Sequence, residues 1–270
     1  MVFLAHAPCA PLSDYVETLW FHRGRPSHMR ERVLPSANVQ IIFNLHQNSL
    51  NVSVPQGIDR FERFRGALIA GPRSDFSIVD TTDMESLMGV HFKPGGIWPF
   101  LGSPTDLLHN AHVSLDALWA DQAWELRDRL VAEPDAKSRF HLLENMLLRR
   151  LNQGTARHPA VAFALREFQT RENVGPISRV VGKVGLSSRR FITVFTKEVG
   201  LTPKLFCRLH RFQNTLSHIP QAGIVDWADL AIQCGYFDQA HLNHEFRAFS
   251  GLNPGSYLTH RTDHQNHARL

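Results

Sequence analysis

Long apolar runs are missing from this chain of 270 residues: none approaches the roughly 18 residues a helix needs to cross a bilayer, so no membrane partner is expected. The opening Met1 to Ala10 is apolar, but it lacks a basic lead and is too short for a secretory signal, which points to the cytoplasm. Cysteine is scarce as well. Cys9, Cys207 and Cys234 cannot all pair, and none stands in a C-x-x-C or other metal-ligand spacing. Reduced thiols are expected, with Cys207 and Cys234 buried as small apolar groups, and with no metal and no cofactor. A charged fraction of 20% beside 43% hydrophobic residues describes a globular chain long enough for two ordinary cores.

What the chain does have is one phrase written twice. Val184-Gly-Leu-Ser-Ser-Arg-Arg-Phe-Ile-Thr-Val-Phe-Thr-Lys-Glu-Val-Gly-Leu-Thr-Pro is echoed by Cys234-Gly-Tyr-Phe-Asp-Gln-Ala-His-Leu-Asn-His-Glu-Phe-Arg-Ala-Phe-Ser-Gly-Leu-Asn-Pro. In each copy a glycine, Gly185 or Gly235, supplies a sharp turn, and Ser187 or Asp238 is placed to cap the helix that follows. Phe191 and Phe195 fall at the offsets of His241 and Glu245, while Leu242 and Phe246 sit one place further on, so the second turn is one residue longer. Gly200 and Gly251 suit a left-handed helix end, and Pro203 and Pro254 forbid continuation. This is the grammar of a helix-turn-helix, used two times.

Charge divides the chain. Residues 1–155 hold 15 Lys+Arg and 17 Asp+Glu, net −2, whereas the remainder carries net +6, on the side of the repeat. A basic domain lowers the cost of approaching a phosphate backbone.

The first hundred residues read as short strands, at Tyr15 to His22, Val39 to Leu45, Phe76 to Val79 and Leu87 to Phe92, which suggests a sandwich or small barrel able to hold a small ligand. Helical spacing begins at Pro104 and runs from Ser114 to Val131 and from Asp135 to Leu151, with Ser114 and Asp135 as expected caps. This pair is expected to join the two parts and to offer a dimer contact. The polar segment Asn152 to Pro159 marks the domain boundary. Helices are then expected at 159–170, 176–183, 188–199, 203–217, 225–233 and 238–249, the one from Pro203 bracing the two modules, with a disordered end to the chain.

A recognition helix reads base edges with its N-terminal half while its other side packs on the preceding helix. In the first module Phe191, Val194 and Phe195 form the packing stripe, leaving Arg189, Arg190, Ile192, Thr193 and Lys197 outward. Arginine suits guanine, Thr193 and Ile192 suit a thymine methyl, and Lys197 suits a phosphate. In the second module Leu242, Phe246 and Phe249 pack inward, so Gln239, His241, Asn243 and His244 face out with Arg247 as the nearby arginine.

These residues resemble the AraC/XylS family of bacterial transcription regulators over about 100 residues, from near Pro159 to near Tyr257. The resemblance rests on Gly185-Leu-Ser-Ser-Arg, Gly200-Leu-Thr-Pro, Trp227-Ala-Asp-Leu-Ala, Gly235-Tyr-Phe-Asp-Gln-Ala-His and Phe246 to Tyr257. It implies two helix-turn-helix units joined by a long helix, entering successive major-groove segments of double-stranded DNA about 34 Å apart. It also carries base contact to Arg189, Ile192 and Thr193 and to Gln239, Ala240, His241, Asn243 and His244. Val181 followed by Gly182 departs from the small residue usual before the first turn, and His244 stands where a basic residue is frequent. Through Val33-Leu-Pro-Ser, Ile41 to Leu45, Gly71-Pro and Gly89-Val-His-Phe-Lys-Pro-Gly-Gly the N-terminal part is similar to cupin-like sensor domains, which implies an effector-binding or dimerising module.

The expected fold is thus α+β in two domains: a cupin-like β-barrel or sandwich with a helical hairpin over 1–152, an all-α domain with two helix-turn-helix units joined by a long helix over 158–260, and a disordered tail over 261–270. The expected function is sequence-specific transcription regulation, with a small-molecule effector, RNA polymerase and a second copy of the chain as further partners. Trp20, His22, Phe43, His91, Phe92 and Trp98 are the candidate effector contacts. The competing classes are a metal-dependent enzyme built on His22, His28, His46 and His91, and a protein-binding scaffold. The His-x-His with a following Glu that a metal-dependent cupin would show is absent from the sequence, and no catalysis is expected.

Overall fold

The computed structural model describes residues 2–25, 29–53, 61–82, 84–151, 155–169, 177–221, 223–262 and 264–270. The strands are β1 (Val2–His6), β2 (Val16–Arg23), β3 (Arg30–Val33), β4 (Gln40–Asn44), β5 (Leu50–Ser53), β6 (Phe61–Phe64), β7 (Ala67–Ala70), β8 (Ser77–Asp80), β9 (Ser86–Phe92), β10 (His112–Ser114) and β11 (His267–Arg269). They form two antiparallel sheets in the orders β1-β2-β9-β4-β7-β10 and β11-β3-β8-β5-β6, a sandwich. The helices are α1 (Trp98–Leu101), α2 (Asp116–Trp119), α3 (Asp121–Ala132), α4 (Ala136–Leu151), α5 (Pro159–Gln169), α6 (Ile177–Val181), α7 (Ser188–Val199), α8 (Pro203–His218), α9 (Trp227–Gln233), α10 (Gln239–Ser250) and α11 (Pro254–His260). No helix among the described residues is long and apolar enough to cross a membrane.

Strand alternation sends the side chains of the first sheet to two different places. Leu19, Phe21, Ile41, Phe43, Ile69, Met88, Val90 and Phe92 join Leu126, Leu130, Phe140, Leu143 and Leu147 of α3 and α4 in one core. On the opposite face Leu68 meets Leu50, Val52 and Phe64 of the second sheet, with Ile42 and Leu87 packed against them. The helix pair therefore buries its apolar stripe on its own sheet. The helix expected from Ser114 is also shorter: Ser114 ends β10, and Ala120 at φ 49° breaks the run between α2 and α3. Asp135 does cap α4, accepting a bond from Ser138 N–H at 2.9 Å.

The C-terminal residues overturn the expectation of a disordered tail. β11 pairs antiparallel with β3, His267 opposite Val33 and Arg269 opposite Glu31. Leu34 N–H donates to Asn266 O at 2.8 Å, Tyr257 Oη–H donates to Gln265 O at 2.7 Å, and the His267 ring lies 2.6 Å from a Glu31 carboxylate oxygen. The edge of β3, whose free backbone groups demand partners, is thus covered by the far end of the chain. Around this clasp the two domains share a seam. Leu34 and Ala37 sit in the core of the helical domain, Arg32 Nη1 donates to Ser250 O at 2.9 Å, and Gln213 Nε2 donates to Pro35 O at 2.6 Å. Gly251 lies so close to Phe76 that a Cβ there would stand 2.7 Å from its ring, itself covered by the Arg32 guanidinium at 4.3 Å.

Candidate nucleic-acid interface

Each module is built from a short helix, a glycine turn and a longer capped helix. In the first, α6 stops at Val181 with Gly182 following, Gly185 turns at φ 67°, and Ser187 Oγ accepts from Arg190 N–H at 3.3 Å to start α7. In the second, Gly235 turns at φ 76° and Asp238 Oδ1 accepts from His241 N–H at 2.7 Å to start α10. Both positive φ angles lie where a side chain is strained, which accounts for glycine at each turn. Gly200 and Gly251 close the two helices in left-handed geometry.

Phenylalanines hold the modules to the brace α8. Phe195 packs edge-on to Phe168 and Phe206, with centroids 5.9 and 5.7 Å away, and Phe212 of α8 contacts both Phe246 and Phe249 at 5.2 Å. One polar pair joins them. Arg208 on α8 donates through Nε and Nη2 to the two oxygens of buried Glu245 at 2.9 and 2.7 Å. Burial pushes the Glu245 carboxyl up, but the Arg208 bonds and charge outweigh it and hold it below the usual range. With the extra turn residue Glu245 takes the helical place of Val194, and sequence spacing missed the pair because Arg208 lies 37 residues away on another helix. Tyr236, whose Oη lies 3.4 Å from Thr215 Oγ1, is the other buried polar group of this turn.

The outward residues divide as follows. Arg189, Arg190, Ile192 and Thr193 are exposed on α7, Ile192 at 44%. Thr193 Oγ1 donates back to Arg189 O at 3.0 Å, so its hydroxyl proton is committed to the helix and its methyl is the group left for a base. Lys197 is exposed too, but its ammonium lies 5.6 Å above the Trp98 ring, at the seam with the N-terminal domain. On α10 Gln239, Ala240, Asn243 and His244 are exposed, whereas His241 is half-buried: its Nδ1 accepts from Phe237 N–H at 3.3 Å and its ring meets Tyr236 edge-on. That bond fixes the tautomer and leaves Nε2–H as the donor. Phe237, overlooked in the sequence, stands 85% exposed at the head of this helix.

The candidate effector residues divide among three places. Phe43 and Phe92 belong to the core between the first sheet and the helices, and Trp98 stands at the seam under Lys197. Trp20, His22 and His91 lie on the other face of β2 and β9. Trp20 crosses Gly89 so closely that a Cβ would come within 2.5 Å, and its indole meets the His91 ring edge-on. The Trp20 Nε1–H is buried with no hydrogen-bond partner among the described residues. Of the histidines a metal-dependent enzyme would use, His28 lies outside the described residues and His46 contacts Glu85 at 3.4 Å; no group able to hold a metal occurs among the described residues.

Burial, and then the neighbouring His267 and His264 rings, lower His91 from 6.5 to about 4, and burial with Arg73 lowers His112 to about 3. Below pH 6.5 the unfolded chain takes up protons that these folded rings refuse. Stability is therefore expected to fall as pH drops from about 6.5 towards 4, by up to about 1.4 kcal/mol per pH unit for each ring. Denaturant unfolding at pH 7, 6 and 5 checks this, and His91→Gln is expected to remove one ring's share of the slope.

Residues 180–260 match a family model described as a helix-turn-helix domain, and residues 4–114 match one described as a domain of unknown function (DUF6597). No curated protein matches by sequence. Among solved structures, ToxT from Vibrio cholerae O395 is similar at a TM-score of 0.48 with 8% identity, covering 89% of this chain and 97% of that one. The same protein bound to (E)-4-(8-methylnaphthalen-1-yl)but-3-enoic acid gives 0.49 with 10% identity over 89% and 98%. Unsaturated fatty acid bound wild-type ToxT from Vibrio cholerae strain SCE256 gives 0.45 with 11% identity over 95% and 94%.

Proposed function

We propose that the chain is an AraC-type helix-turn-helix transcription regulator that reads two successive major-groove segments of one operator. Arg189, Arg190, Ile192 and Thr193 serve the first segment, and Gln239, Ala240, His241, Asn243 and His244 the second. The observation that carries this reading is the pair of capped helices, each with an exposed N-terminal half, mounted on the single brace α8. The first module supplies most of the charge-assisted contact, since Arg189 and Arg190 have no equivalent in the first turn of α10. Lys197 acts on phosphate or on Trp98, and its seam position favours the second.

Residues 1–152 form the regulatory unit in this reading and residues 158–260 the DNA-binding one. A small, largely apolar effector lies between the sheets against Trp20, His22 and His91, where the unpartnered indole N–H offers a bond to an acceptor. RNA polymerase and a second copy of the chain are its further partners. Arg189→Ala is expected to cost about 1–3 kcal/mol in operator binding and to relax preference at one base pair. Titration of the variant against the operator and its single-base variants is the test; uniform, small losses across all sequences would count against direct readout.

A further inference from the structure

We infer that Phe237 is a base-reading residue that packs on a thymine methyl at the near end of the second half-element. This rests on the reading of the two modules as DNA-binding. The first turn runs Gly185-Leu186-Ser187 into its cap, with Leu186 half-buried; the second runs Gly235-Tyr236-Phe237-Asp238. Tyr236 takes the inward place, buried against α8 with its Oη beside Thr215. Phe237 is the additional residue. With the inward place taken, its ring projects into solvent at 85% exposure.

The backbone that carries the ring is fixed. Phe237 N–H donates to His241 Nδ1 at 3.3 Å, and the next residue, Asp238, is tied to His241 N–H at 2.7 Å, so the turn is laced to the first turn of α10 from both sides. Phe237 therefore stands at the N-terminal end of the recognition helix, the end that faces base edges, beside exposed Gln239 and Ala240. An exposed aromatic ring in that place among amide and small side chains has one apolar partner in a major groove, the thymine C5-methyl. The first module presents its own exposed apolar residue, Ile192, among Arg189, Arg190 and Thr193.

The test uses the full chain and an operator it selects from random duplex DNA. Each thymine of the second half-element is replaced singly by uracil, which deletes only the methyl. One uracil is expected to weaken wild-type binding about fivefold, the scale of a single apolar contact. Phe237→Ala is expected to bind the unmodified operator more weakly by a similar factor and to be indifferent to that same uracil, while Phe237→Leu keeps part of the discrimination. The assignment is overturned if Phe237→Ala binds the unmodified operator as tightly as wild type, or if it remains as sensitive as wild type to every uracil. If the wild-type chain selects no motif at all, the two-module reading fails first and takes this role with it.

Discussion

Replacing Phe212 with alanine is expected to destabilise the helical domain by about 3–5 kcal/mol, a large share of the stability of an ordinary domain. Phe212 is fully buried on α8, and its ring touches Phe246 and Phe249 of α10 at 5.2 Å each. Removing it leaves a cavity where the second recognition helix meets its brace. The surrounding rings cannot close that gap, because Phe246 is also fixed against Tyr257. Denaturant unfolding is expected to show a lowered midpoint at an unchanged slope, with loss of operator binding through the second module. A change below about 1 kcal/mol would mean that α10 does not depend on α8 for its position.

Deleting residues 262–270 is expected to expose the edge of β3 while the seam between the domains holds. The strand β11 supplies the backbone pairing of β3 on one side, and the deletion also removes the His267 contact to Glu31 at 2.6 Å. Several ladder bonds and one charge-assisted bond sum to about 2–3 kcal/mol of local stability, so amide exchange along β3 is expected to accelerate about 30-fold or more. Arg32 and Gln213 would still hold the domains through Ser250 O and Pro35 O, so the sandwich core should keep its protection. Unchanged exchange at β3 would show that the tail adds nothing to the sheet.

The helical modules were legible because every device that makes them is local. Turn glycines, the caps Ser187 and Asp238, and the stops at Gly200-Leu-Thr-Pro and Gly251-Leu-Asn-Pro each act within a few residues. Strands β2, β4, β8 and β9 were legible from β-branched and aromatic runs. Their alternation separates two faces, yet it does not say which face meets helices and which meets the other sheet; Phe43 and Phe92 turn out to pack under the helices. The tail strand was invisible because it pairs more than 230 residues away, His267 with Val33, and carries only three residues of no distinctive pattern. The same distance hid the seam: nothing near Lys197 announces Trp98, and nothing near Arg32 announces Ser250.

The most direct measurement is selection of duplex DNA by the full-length chain at near-physiological salt, beside an Arg189→Ala/Arg190→Ala double variant. The account predicts a motif with two half-elements about one helical turn apart, roughly 34 Å, in which the half read by α7 loses its preference in the variant. Recovery of sequence-blind, salt-sensitive binding that the double variant shares would contradict it.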